Sequence, residues 1–330
     1  MSAPIRRRKT SSLVVLGIVA LALLTMPFWA GSYNLRLATN VLLWVGLALS
    51  WNVVCGYAGY ISFGHIAFFG IGAYVTAILM QPSVGWNFFA TLPVGAVVAA
   101  VIALVVGFPT LRLRGAYFAI ATWAMAEGVR ELATVASITG GSGGLVLPVK
   151  SDDTFFYWCM LAATAGAYLV CFLLLERSRF GYKVKAVRDN EPAARAQGIN
   201  ANLVKNQAFI LSAVIPAVLG GINAYWITFI NPDSSLNTIL TDQLVVMVLV
   251  GGLGHIWGPV IGGTVLYLAQ QQFVVLFGDS TAYIVLVGAL VVLVVLFLPD
   301  GLVSLLPGSR RLNLIRRFIR PRATTTTGSS

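Results

Sequence analysis

Ionisable and helix-capping side chains are scarce in this chain, and they gather at a few places. The densest is Asp189-Asn190-Glu191-Pro192-Ala193-Ala194-Arg195-Ala196-Gln197-Gly198. Its residue types belong to a short capped helix rather than to a catalyst. Asp189 or Asn190 can accept the first free amides, Glu191 suits the positive end of the helix dipole, Pro192 is tolerated in the first turn, and Gly198 can close the C-terminus. A helix of about two turns does not persist alone in water. It predicts an element that docks, with alanines small enough for close approach. Lying on lipid suits it poorly, because 191–198 has no large apolar side chain to bury.

A second gathering is Glu127, Arg130 and Glu131, three and four residues apart and therefore on one helical face. Each costs about 2.5–3.5 kcal/mol in lipid, so each is expected to face protein or water, as is Asp242. They form either an ion pair that fixes packing or part of a route for solute. Both histidines, His65 and His255, stand in Gly-His-Ile triplets inside glycine-interrupted stretches. Chance, close helix packing or a repeated half-site each account for that. Interrupted backbone at membrane depth is tolerated only where it is buried in protein or lines a watery path. On this ground Ser62, Phe63, Gly64 and His65, and the turn from Thr139, Gly140 and Gly141 to Gly144, are candidates to line a path, with Glu127 and His255.

No G-x-x-x-x-G-K-[ST] loop, nucleophile elbow or His-rich metal box occurs. The chain is therefore expected to hold no catalytic residue, metal or cofactor, and any ATP-driven role needs partner subunits. Cys55, Cys159 and Cys171 have no pairing or ligand spacing and read as small packing residues.

The elements that must position these residues follow from composition. With 58% hydrophobic and 10% charged residues, the chain cannot build a water-facing surface, which excludes a soluble enzyme. Recurrent long apolar runs predict an all-α polytopic integral membrane protein. About ten transmembrane helices are expected, at 13–30, 37–55, 60–81, 88–107, 115–137, 155–175, 207–229, 239–253, 257–277 and 281–299. The first run is too long for a cleaved signal. The segment 239–253 is too short for a full span, and glycines break 56–72 and 251–263, so some segments are broken or re-entrant.

The net charge of +11 does not point to nucleic acid, because the basic residues lie in short stretches beside apolar runs. Placing 1–12, 112–114, 176–206 and 300–330 inside accounts for 19 of 22 Lys and Arg. The positive-inside rule then puts both termini in the cytoplasm, with a basic N-terminus 1–12, a transmembrane domain 13–299 and a basic tail 300–330. Loop 176–206 is too long for a mere connection.

Several stretches together resemble the LivM-type permeases of branched-chain amino acid ABC importers: Gly56 to Tyr74, Leu111 to Ile120, Thr139 to Leu145, Glu191 to Asn200 and Gly251 to Pro259. The resemblance implies a multi-pass protein of the bacterial inner membrane, paired with a LivH-type second permease. It also implies two cytoplasmic ATPase subunits that bind ATP and Mg, and an extracytoplasmic substrate-binding protein. The short helix at Asn190–Gly198 would be the coupling helix, similar to the EAA motif of importer permeases. It departs from that motif in having Pro192 directly after Glu191 and Gly198 seven residues beyond it. Cargo stays open at this level, since similar permeases carry branched-chain amino acids, urea, short amides or aromatic acids.

Overall fold

The computed structural model describes residues 21–113, 115–278 and 301–305, with the isolated positions 288, 292, 296 and 297. The N-terminus 1–12 and most of 281–299 and of the tail 300–330 lie outside the described residues.

The described chain is helical almost throughout. Residues 21–29 form the end of the first expected span. Then come α1 (Ser32–Asn52), continued by the π-turn Val53–Tyr57, α2 (His65–Leu79), α3 (Phe88–Thr110) and α4 (Ala116–Val135). Helix α5 (Asp153–Cys171) runs on through a second π-turn, Phe172–Arg177. The loop helices α6 (Arg179–Asp189) and α7 (Glu191–Ala196) lead into α8 (Ala201–Ile227), the one-turn α9 (Pro232–Ser235), α10 (Ile239–Gly251) and α11 (Trp257–Phe277). A two-residue pair joins β1 (Leu145–Val146) to β2 (Phe229–Ile230) antiparallel, Leu145 opposite Ile230.

Six of the described helical segments are long and apolar enough to cross a membrane. Helix α4 misses that standard through its three charges, and α2 through its 15 residues, about 22 Å of rise. Two expected boundaries move. The run 60–81 is helical only from His65, because residues 58–64 form an irregular turn. The span expected at 207–229 begins six residues earlier, at Ala201, where Asn200 caps it by accepting from Leu203 N at 3.2 Å.

Helices α1 and α8 form the centre, 78% and 67% buried over their most apolar windows against 22–28% for α3, α5 and α11. Helix α8 packs on α2, α3 and α1, and α1 on α5, α10 and α11. The α2–α8 contact brings backbones together: a Cβ on Gly72 would run into the Ala217 carbonyl, and one on Gly220 into the Phe69 carbonyl. Small residues supply this closeness where lipid offers no hydrophobic drive between helices. The outer faces of α3 and α4 carry exposed Val97, Val101, Phe108, Tyr117, Ile120 and Leu132, apolar surface suited to lipid or another membrane chain.

Candidate functional site

The loop 176–206 folds into two helices, not one. Ser178 caps α6 by accepting from Phe180 N at 3.0 Å, and α6 buries Gly181, Val184 and Val187 against the bundle. The alternation Phe180, Val184, Val187 is a helical period, but Gly181 disguises it. That glycine allows contact with the α5 end, since a Cβ there would meet the Leu175 carbonyl.

Helix α7 has the expected caps. Asn190 Oδ1 accepts from Ala193 N at 3.1 Å. At the other end Gly198, with φ +81°, donates to Arg195 O at 3.0 Å, and Ile199 N donates to Ala194 O at 3.1 Å, the paired bonds of a Schellman closure. The helix therefore runs Glu191–Ala196. Its faces differ. Ala194 is buried within this chain, whereas Pro192, Ala193, Arg195, Ala196 and Gln197 are exposed. Glu191 is engaged within the chain: its carboxylate accepts from Arg195 Nη2 at 2.6 Å and from Lys205 Nζ at 2.8 Å. Burial alone would raise the Glu191 carboxyl, but the bonds and charges of Lys205 and then Arg195 outweigh it and hold the group below the usual carboxylate range. Lys205, only 3% exposed, also lies 4.9 Å from the centre of the Tyr60 ring.

Tyr60 belongs to the irregular turn after α1, and the loop meets that turn at several further points. Tyr57 donates to Glu176 at 2.5 Å, and Glu176 also accepts from Lys185 at 3.2 Å. Arg188 Nη1 donates to the Gly56 carbonyl at 2.8 Å. The Gly56–Tyr60 part of the glycine-broken turn thus packs against loop 176–206, at the end of the bundle that carries α6 and α7.

The two Gly-His-Ile triplets turn out to be structurally parallel and chemically unlike. Each histidine follows a glycine break and leads into a helix, α2 or α11. Neighbouring side chains of α1 hold both turns. Trp51 Nε1 donates to Ser62 O at 2.7 Å, while Asn52 accepts from Gly254 N at 3.0 Å and donates to His255 O at 3.1 Å. His65 is fully buried and His255 is exposed. Phe63 N donates to Thr122 Oγ1 of α4 at 3.1 Å, and Gly64 packs on Met125. Ser62 is completely enclosed, while Ile61 beside it is exposed.

Glu127, Thr139, Gly140 and Gly141 lie apart from that cluster, toward the other end of α4. Arg130 bonds Glu127 at 2.9 Å, Glu131 at 3.1 Å and Asp233 of α9 at 3.1 Å, and Thr238 donates to Glu127 at 3.3 Å. The expected single face is present, and it ties α4 to the α9 segment. Thr139 donates to Ala133 O and Ala136 O, both at 2.6 Å, folding the glycine turn back on α4.

Residues 33–296, which contain both broken turns and the whole loop, match the family described as branched-chain amino acid transport system / permease component. The chain belongs to this permease family. It is 30% identical over 322 residues to the high-affinity branched-chain amino acid transport system permease protein LivM of Escherichia coli K12, covering 87% of this chain and 74% of that relative. It is 28% identical over 289 residues to LivH of the same organism, covering 78% and 90%, and 24% identical over 326 residues to a probable LivM of Methanocaldococcus jannaschii, covering 82% and 94%. No solved structure matches it.

Sequence reasoning missed Trp51, Asn52, Arg188 and Lys205 of this permease. Lys205 carried a signal: it sits within a helical apolar pattern with Val204, Ala208 and Phe209, all buried. Arg188 and Asn52 carried none, because their partners lie 132 and more than 200 residues away.

Proposed function

We propose that the chain is one permease of an ABC importer in the bacterial inner membrane, carrying branched-chain amino acids. It would pair with a LivH-type second permease and take substrate from an extracytoplasmic binding protein. Two cytoplasmic ATPase subunits would bind ATP and Mg. The carrying observation is α7: a capped helix anchored on one face by Ala194 and by the Glu191–Lys205 pair, with a smooth exposed face of Pro192, Ala193 and Ala196 left for a partner. The names of the relatives support the cargo, and the exposed apolar faces of α3 and α4 provide surface for the second permease.

The chemistry suits coupling. ATPase closure moves α7; α7 is continuous with α6 through Asn190, whose N–H donates to Ala186 O at 3.0 Å. Arg188 of α6 bonds the Gly56 carbonyl, so motion of the loop would be passed to the start of the turn that leads on to Ser62–His65. The remaining path residues, Glu127, Thr139 to Gly141 and His255, would act at the two ends. Co-purification tests the reading: tagged permease is expected to carry ATPase subunits in fixed ratio, with substrate-loaded binding protein stimulating hydrolysis. A permease that transports by itself refutes it.

Orientation gives a separate prediction. Both termini and loop 176–206 are assigned to the cytoplasm and 138–154 to the outside, along with ten spans in all. The two basic residues left outside are both engaged, Arg36 with Asp153 at 2.9 Å and Lys150 over the Phe155 ring at 3.2 Å. In intact cells a cysteine at exposed Ser142 is expected to react with an impermeant thiol reagent and one at exposed Gln197 to stay unlabelled. The opposite pattern inverts the topology.

A further inference from the structure

The two broken turns touch each other, and one side chain of the loop reaches both. A Cβ on Gly56 would collide with Asn52 Oδ1 and stand 2.5 Å from Gly254 N. One on Gly254 would stand 3.0 Å from Gly56 O and 3.1 Å from Arg188 Nη1. One on Gly59, where φ is +80°, would stand 2.8 Å from Arg188 Cγ. These glycines leave room for each other's backbone and for the arginine stem.

The Gly56 carbonyl is free to take the arginine because α1 ends there. Tyr60 N, the amide four residues on, bonds Val54 O instead. Arg188 Nη1 supplies the missing donor, and Asp189 fixes the guanidinium by accepting from Nε at 3.0 Å, with Nη2 at 2.9 Å from the same oxygen. Asp189 is followed at once by Asn190, the cap of α7.

We propose that Arg188 is a positioning residue that ties the coupling loop to the α1 and α10–α11 breaks together, so that one displacement of α7 moves both. The proposal rests on the importer reading. Neither break flanks the loop in sequence, and the spans that do, α5 and α8, would move by chain connection alone. Arg188 adds a path into the glycine junction, which Asn52 then holds as one unit through its bonds to Gly254 and His255.

The test uses the full complex, purified in equal amounts and reconstituted in vesicles, with uptake and ATP hydrolysis measured together. Wild type must show hydrolysis stimulated by loaded binding protein; if it does not, the importer reading fails before Arg188 is in question. Given that stimulation, Arg188→Ala is expected to keep ATPase subunits bound and hydrolysis running while uptake per ATP falls by about tenfold or more, the effect of losing one charge-assisted hydrogen bond. Arg188→Lys, which keeps a cationic donor on a long stem but loses the fork, is expected to lose about two- to fivefold. An unchanged ratio in both variants overturns the proposal, as does a parallel fall of uptake and hydrolysis. If the alanine variant does not assemble, the lysine variant decides by the same ratio. Failure of both to assemble assigns Arg188 to folding and overturns the proposal too.

Discussion

Ala196→Arg is expected to leave the permease inserted and folded while reducing its ATPase association to background, and uptake with it. The position lies on the exposed face of α7, so the substitution meets nothing inside the chain. Surface changes of this kind cost folding within about 0.5 kcal/mol. A docked partner meets a long cation where it expects a methyl group, and a short helix in a groove has no room to retreat. Ala194→Arg is the informative contrast. Ala194 is 3% exposed and packs within this chain, so arginine there strains the loop itself, by about 1–3 kcal/mol or more for overpacking. Pull-down of ATPase subunits by tagged permease, with protein level as the control, separates the two. Normal association and uptake in Ala196→Arg would make α7 an ordinary surface turn and remove the central support for the importer mechanism.

What was readable in advance of the fold follows the range of each physical cause. Local causes read well. The caps of α7 are where Asn190 and Gly198 place them, and the starts of α10 and α11 fall at Ile239 and Trp257, as expected from apolar runs bounded by turn residues. The charge spacing on α4 correctly gathers Glu127, Arg130 and Glu131.

Long-range causes were invisible. Asp233 joins Arg130 across 103 residues, and nothing in either segment announces the other. The glycines of 56–72 and 251–263 marked broken helices without revealing that Gly56 and Gly254 break against each other. The histidines drew attention by repetition, yet the repeated feature is the turn that precedes them; the side chains that hold it, Trp51 and Asn52, sit on α1 and look like ordinary span residues. Lys205 reads from sequence as one more cation of loop 176–206, because charge ends the apolar run. Burial of a lysine becomes intelligible only once Glu191 is known to face it.

That pairing carries the second large effect. Glu191→Ala is expected to loosen the whole loop, because it leaves the Lys205 ammonium, 3% exposed, without its carboxylate partner and, among the described residues, with the Tyr60 ring beside it. Breaking a buried pair from one side costs roughly 3–5 kcal/mol, more than either charge earns from the pair itself. The loop offers its own assay, since trypsin can cut after any of Arg177, Arg179, Lys183, Lys185, Arg188, Arg195 and Lys205 once the segment opens. If opening is local and fast to reclose, cleavage follows the open population, so a loss of about 3 kcal/mol raises the rate by about a hundredfold. Glu191→Ala with Lys205→Met is expected to recover much of the protection, because the double change removes the stranded charge. Acid gives the same result by titration. The folded Glu191 carboxyl lies below its ordinary value, so its stabilisation is complete above the unfolded pKa and is lost as pH falls through the folded one. Tryptic protection itself is not measurable in acid, but hydrogen exchange across 179–205 is, and it is expected to stay flat from neutrality to about pH 5 and to weaken below about pH 4. Equal protection in wild type and Glu191→Ala would show that the loop is held by α6 packing alone, and the Glu191–Lys205 pair would then have no part in keeping α7 ready for its partner.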